Sequence, residues 1–120
     1  MDLRAVLDVM PSRLSHGQRK LVSMARAFAA RPKLVLLDEP AAGLDTGESE
    51  ALGALLRSVL DEGISLLLID HDMGLVLGVC DDIYVLDFGV VIAHGPPATI
   101  RNDPNVITAY LGSPTAGDAP

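Results

Sequence analysis

Four short stretches bring together residue types that could do chemistry. The first is Leu14-Ser15-His16-Gly17-Gln18. It opens a segment of helical periodicity, and a helix start presents unpaired N–H groups and about half a positive charge. Gly17 lets a ligand approach the backbone, and Ser15 has a hydroxyl that can donate. Together they suit a phosphate, although a capped helix without a ligand reads the same way. The second is Asp38-Glu39-Pro40, which ends the apolar run Leu34–Leu37. The carboxyl end of a buried parallel strand is where α/β sheets bind ligands. Asp38 is placed to hold Mg²⁺ through water, and Glu39 to orient and activate a water nucleophile. The plain alternative is a strand end with two solvated acids.

The third stretch is Asp70-His71-Asp72, after the apolar run Ile64–Ile69. His71 can offer an N–H to a γ-phosphate. Asp-His-Asp also offers three metal ligands, but neighbours on an extended chain point in alternating directions. A surface histidine is the remaining reading. The fourth is Ala41-Ala42-Gly43-Leu44-Asp45, whose Asp45 also suits a helix N-cap. Asp87-Phe88-Gly89 shares its letters with the kinase magnesium motif, but the catalytic-loop and glycine-rich elements of kinases are absent. It reads as a hairpin turn.

The elements that must position these residues alternate. A helix is expected from Ser15 to Ala30, with Leu21, Met24, Ala25 and Phe28 on its buried face. Ser15 and Gln18 form a capping box, and Arg31-Pro32 ends the helix. Leu34–Leu37 and Ile64–Ile69 suit strands buried on both faces, as in a parallel sheet. Between them a helix is expected from Gly47 to Asp61, burying Leu52, Leu55, Leu56 and Val59 and stopped by Gly63. A short helix follows with Met73, Val76, Leu77 and Cys80 at helical spacing, then Ile83–Leu86 and Val90–Ala93 as an antiparallel pair. Pro96-Pro97 breaks the chain, and Asp103-Pro104 starts a last helix through Tyr110. Residues 113–120 read as a disordered tail. The expected class is α/β, a mainly parallel sheet flanked by helices, with a small appendage.

The chain has 120 residues, a formal charge of −7 and a mean hydropathy of +0.36. That length allows one domain. The single cysteine, Cys80, excludes an internal disulfide framework. No apolar run approaches a membrane span, and Met1-Asp2-Leu3-Arg4 lacks a signal-peptide layout, so a soluble intracellular chain is expected. Residues 1–33 carry seven basic and two acidic groups; residues 34–120 carry two basic and fourteen acidic groups. The acidic balance argues against nucleic acid as a partner.

The order of the four stretches resembles the C-terminal half of an ABC-transporter ATP-binding subunit, from about Leu14 to Gly112. Leu14–Gln18 is similar to the signature motif, Leu34–Glu39 to the Walker B strand, Ala41–Asp45 to the D-loop and His71 to the switch histidine. The stretches Leu36-Leu37-Asp38-Glu39-Pro40-Ala41-Ala42-Gly43-Leu44-Asp45 and Ile69-Asp70-His71-Asp72-Met73 and the ending Ala109-Tyr110-Leu111-Gly112 are similar to branched-chain amino-acid importers. Urea importers and lipopolysaccharide-export ATPases share parts of the pattern. The resemblance implies a P-loop NTPase-like sheet flanked by helices, present in part, with residues 1–112 forming one partial domain. It implies ATP and Mg²⁺ as cofactors. Asp38 would serve the metal, Glu39 and His71 catalysis, and Ser15, Gly17, Gln18 and Asp45 the nucleotide and the dimer. It implies a second ATP-binding subunit, transmembrane permease subunits and, indirectly, a substrate-binding protein, at the cytoplasmic face of the membrane. No G-x-x-x-x-G-K-[ST] loop occurs in the chain. The isolated chain is therefore expected to be inactive, and to expose apolar surface that the missing half would cover. The alternatives are a non-catalytic partner that supplies signature residues to a separate P-loop subunit, and a fragment without independent function. DNA-maintenance ATPases share similar signature motifs, but the acidic remainder lacks the basic surface they would need.

Overall fold

Ser15 starts the first helix, α1 (His16–Ala29), by the reciprocal bonds of a capping box. Its Oγ accepts from the Gln18 N–H at 3.1 Å, and its own N–H donates to Gln18 Oε1 at 2.9 Å. Phe28 is buried on this helix, while Leu21, Met24 and Ala25 are half-buried. Arg31, in the left-handed region at φ +49°, turns the chain away. The computed structural model describes residues 14–111. The expected tail at 113–120 lies outside them.

The chain divides after Asp70 into two compact units. The first holds α1, strand β1 (Leu34–Asp38), helix α2 (Thr46–Asp61) and strand β2 (Ser65–Ile69). Helix α2 starts one residue earlier than expected because Asp45 and Glu48 build a second capping box. The expected face of α2 is fully buried: Leu52, Leu55, Leu56 and Val59, with Ile64 beyond its end. Gly63 leaves the helix at φ +90°, a conformation open to glycine at little cost.

β1 and β2 pair in parallel, Leu34 opposite Ser65 through Asp38 opposite Ile69. Their burial corrects the expectation of strands covered on both faces. Val35, Leu37, Leu66 and Leu68 are half-buried, whereas Leu34, Leu36, Leu67 and Ile69 are exposed. Leu36 keeps 66% of its surface. The composition is that of a two-sided strand, but the described residues cover one side only.

In the second unit Asp72 caps helix α3 (Met73–Val79), accepting from the Leu75 N–H at 3.0 Å. The buried set on α3 is Leu75, Val76 and Val79 rather than the expected Met73, Val76, Leu77 and Cys80, of which Met73, Leu77 and Cys80 are half-buried. Strands β3 (Ile83–Asp87) and β4 (Val90–Gly95) form the expected antiparallel hairpin. Its two turn residues, Phe88 and Gly89, both have positive φ, which matches the twist of the strands. Tyr84 stacks on His94 at 3.9 Å, and His94 Nε2 lies 2.8 Å from Asp82 Oδ1.

Pro96-Pro97 does not merely break the chain. It starts helix α4 (Pro97–Arg101), since a proline at the first helical position forfeits no bond. The single last helix expected from Asp103 is instead a short helix α5 (Pro104–Val106) that widens into a π-turn at Ile107–Leu111. The Thr108 hydroxyl takes the Pro104 carbonyl at 2.9 Å and competes there with the helical N–H. Tyr110 donates its hydroxyl to the Leu86 carbonyl and ties this turn to the hairpin. Ile100 and Val106 anchor this unit's core with Val76, Val79, Ile83 and Val85.

Candidate functional site

The acids at the end of β1 sit in a turn of unusual backbone. The Glu39 N–H extends the parallel ladder by donating to the Ile69 carbonyl at 2.6 Å, and Glu39 then adopts φ +50°. A non-glycine residue there costs roughly 1–2 kcal/mol, and such strain gathers at functional sites. Asp38 and Glu39 are both exposed. No group of three or more acidic, histidine or cysteine side chains able to hold a metal exists among the described residues. A lone exposed carboxylate at a strand end fits a magnesium ion that arrives with phosphate oxygens, because Mg²⁺ keeps most of its shell from water and phosphate. It does not fit an all-protein metal cage.

Asp70 and Asp72 have structural tasks. Asp70 Oδ2 accepts the Ala41 N–H at 3.0 Å and holds the start of the loop after Glu39, while Asp72 caps α3. The three-ligand metal reading of Asp70-His71-Asp72 therefore fails. His71 is exposed and begins the second unit.

The start of α1 keeps the features of an anion site. The capping box uses a lone pair of Ser15 and the side-chain carbonyl of Gln18, so the Ser15 hydroxyl proton remains available. The first N–H groups of an α-helix have no intrahelical acceptor. Gly17 gains a second explanation that the sequence did not offer. It is buried, and a Cβ placed on it would lie 1.7 Å from Glu48 Oε2. Its missing side chain makes room for the Glu48 carboxylate, which belongs to the capping box that Asp45 opens at the start of α2.

Sequence reasoning missed Lys20. Its Nζ donates to the carbonyls of Pro40 at 3.0 Å and Ala42 at 2.6 Å. No local pattern marks a contact between residues 22 apart. Ser15, Gly17 and Gln18 thus start a helix that is fastened to the loop between Glu39 and Asp45. A cavity of about 290 Å³ lies elsewhere, lined by Phe28, Arg31, Val59 and Glu62 at the C-terminal ends of α1 and α2.

The ABC transporter family profile matches residues 2–42, and the branched-chain amino acid ATP-binding cassette transporter profile matches residues 90–116. The chain is 43% identical over 102 residues to the high-affinity branched-chain amino acid transport ATP-binding protein LivG of Escherichia coli, covering 84% of this chain and 40% of LivG. It is 44% identical over 100 residues to BraF of Pseudomonas aeruginosa, a protein of the same description, covering 82% and 39%. It is 41% identical over 105 residues to the lipopolysaccharide export system ATP-binding protein LptB of Escherichia coli, covering 88% and 44%. Among solved structures it is similar to MJ1267, an ATP-binding cassette of an ABC transporter, with a TM-score of 0.76 and 33% identity over 90% of this chain and 44% of that one. The chain spans about 40% of the length of the curated relatives it matches.

Proposed function

We propose, from a chain that corresponds to part of an ABC-transporter ATP-binding cassette, that it supplies the water-orienting residues of one nucleotide site and the signature residues that face the nucleotide of a second subunit, in an importer of branched-chain or related amino acids. The observation that carries this reading is the fastening of the helix that starts at Ser15 and Gly17 to the loop that holds Glu39 and Asp45. Its substrate assignment leans on LivG, BraF and the match at residues 90–116. The similarity to LptB supports lipopolysaccharide export as the second reading.

In this reading Asp38 would hold the Mg²⁺ of the nucleotide through water, and the ion would supply positive charge beside the phosphoryl group. Glu39 orients the attacking water and accepts its proton. His71 donates an N–H to the γ-phosphate. Ser15 and the Gly17 N–H donate to a γ-phosphate held by a second ATP-binding subunit, beside which Gln18 and Asp45 lie. Domain boundaries follow: residues 1–112 serve as the C-terminal part of the cassette. Its partners are that second subunit, transmembrane permease subunits and, through them, a substrate-binding protein, at the cytoplasmic face of the membrane. No helix among the described residues is long and apolar enough to cross a membrane.

The grip on the α- and β-phosphates comes from a P-loop outside this sequence, so the chain alone is expected to release no phosphate from Mg-ATP. Joined behind the P-loop-bearing portion of LivG, it is expected to hydrolyse ATP, and Glu39→Gln in that fusion to lower turnover about 10²–10⁴-fold. Turnover by the isolated chain that Glu39→Gln abolishes would overturn the division of labour. A folded fusion that binds Mg-ATP and hydrolyses none would overturn the site assignment.

A further inference from the structure

The loop between β1 and α2 carries Glu39 and Asp45 at its two ends. Two backbone bonds shape it, the Ala42 N–H to Glu39 and the Leu44 N–H to Ala41, each 3.1 Å. Neither uses the carbonyls of Pro40 or Ala42. Lys20 takes both, at 3.0 and 2.6 Å, with a charged donor that strengthens each bond. His16, one helical turn before Lys20 on the same face of α1, lies against Gly43. A Cβ built there would be 2.9 Å from His16 Nε2. Gly17 meets Glu48 beside them. Three residues of α1 therefore engage successive parts of one loop and the helix start that follows it.

We infer that Lys20 is a positioning residue that keys the loop bearing Glu39 and Asp45 to the helix bearing Ser15 and Gly17. The role deepens the nucleotide-site reading and rests on it. A rigid joint here makes the phosphate-facing helix start and the water-orienting acid move as one body. Displacing Ser15 displaces Glu39, and the reverse. An ammonium suits the task because it presents three donors and no acceptor to the two carbonyls within its reach.

The sequence contains two lysines, Lys20 and the exposed Lys33, which gives the test an internal control. Nuclear magnetic resonance of the full ¹⁵N-labelled chain reads both ammonium groups and the loop amides. The Lys20 ammonium is expected to exchange protons with water about tenfold more slowly than that of Lys33. Lys20→Met is expected to speed exchange of the Ala42 and Leu44 amides about tenfold, leaving the capped Gln18 and Glu48 amides as they were. Lys20→Arg, which keeps charge and donors, is expected to restore the loop. Equal exchange of the two ammonium groups overturns the proposal. So do unchanged loop amides in Lys20→Met, or a loss of protection throughout α1, α2 and the loop that Lys20→Arg does not rescue. If Lys20→Met does not fold, the ammonium comparison in the unaltered chain decides. An inactive LivG fusion alongside a slowly exchanging Lys20 ammonium would overturn the nucleotide reading and leave the joint standing.

Discussion

Glu39 holds its carboxylate on a backbone at φ +50°, which asparagine tolerates better than glutamate. Glu39→Asn is therefore expected to raise the midpoint of urea denaturation by relieving part of a backbone cost of roughly 1–2 kcal/mol. The same change removes the proposed water-orienting group from the LivG fusion. A gain in stability with a loss of turnover would mark a residue kept for chemistry against its own conformational preference. Cys80 behaves oppositely. Burial, and secondarily the neighbouring Asp81 charge, raise its thiol pKa. Its alkylation by iodoacetamide is expected to need higher pH in the folded chain than in urea. By linkage, the stability it contributes is full below the unfolded thiol pKa and lost as pH rises through the higher folded value. Most of the site's residue types were legible: Ser15, Asp38, Glu39 and Asp45 all stand at element boundaries, where local rules apply. Lys20 was not, because its partners are brought to it only by the packing of α1 beside the loop.

At the scale of elements, two capping boxes set the starts of α1 and α2, and each places a proposed ligand-facing residue at the N-cap. Asp45→Ala removes the acceptor for the Glu48 N–H, a 2.7 Å bond, and should cost about 1–2 kcal/mol, measured as a lower urea midpoint. Ser15→Ala should cost about 1 kcal/mol by the same measurement, since its bond is neutral and longer at 3.1 Å. Caps, apolar periodicity and the hairpin turn were readable because each depends on a few neighbouring residues. The π-turn at Ile107–Leu111 was not, since a side-chain hydroxyl and a backbone N–H compete there for one carbonyl, and periodicity does not register that contest.

At the scale of the molecule, the parallel pair β1–β2 leaves Leu34, Leu36, Leu67 and Ile69 open on one face. Leu36 and Leu67 stand opposite each other in the ladder. Replacing them together, Leu36→Glu with Leu67→Lys, creates an opposite-charge cross-strand pair where an apolar pair now meets water. The double variant is expected to bind less of an apolar fluorescent dye and to self-associate less, with its circular dichroism unchanged. Dye binding equal to that of the parent would show that this face is not the exposed apolar surface of the chain. The sequence by itself determined the order of motifs, the caps, the α2 core and the two kinds of strand pairing, because these follow from side-chain chemistry and short-range periodicity. Only the tertiary structure decided that the strands are covered on one face, that Gly17 makes room for Glu48 and that Lys20 fastens the acid loop. Each of these depends on which distant surface lies opposite a residue, and the identity of a side chain does not carry that information.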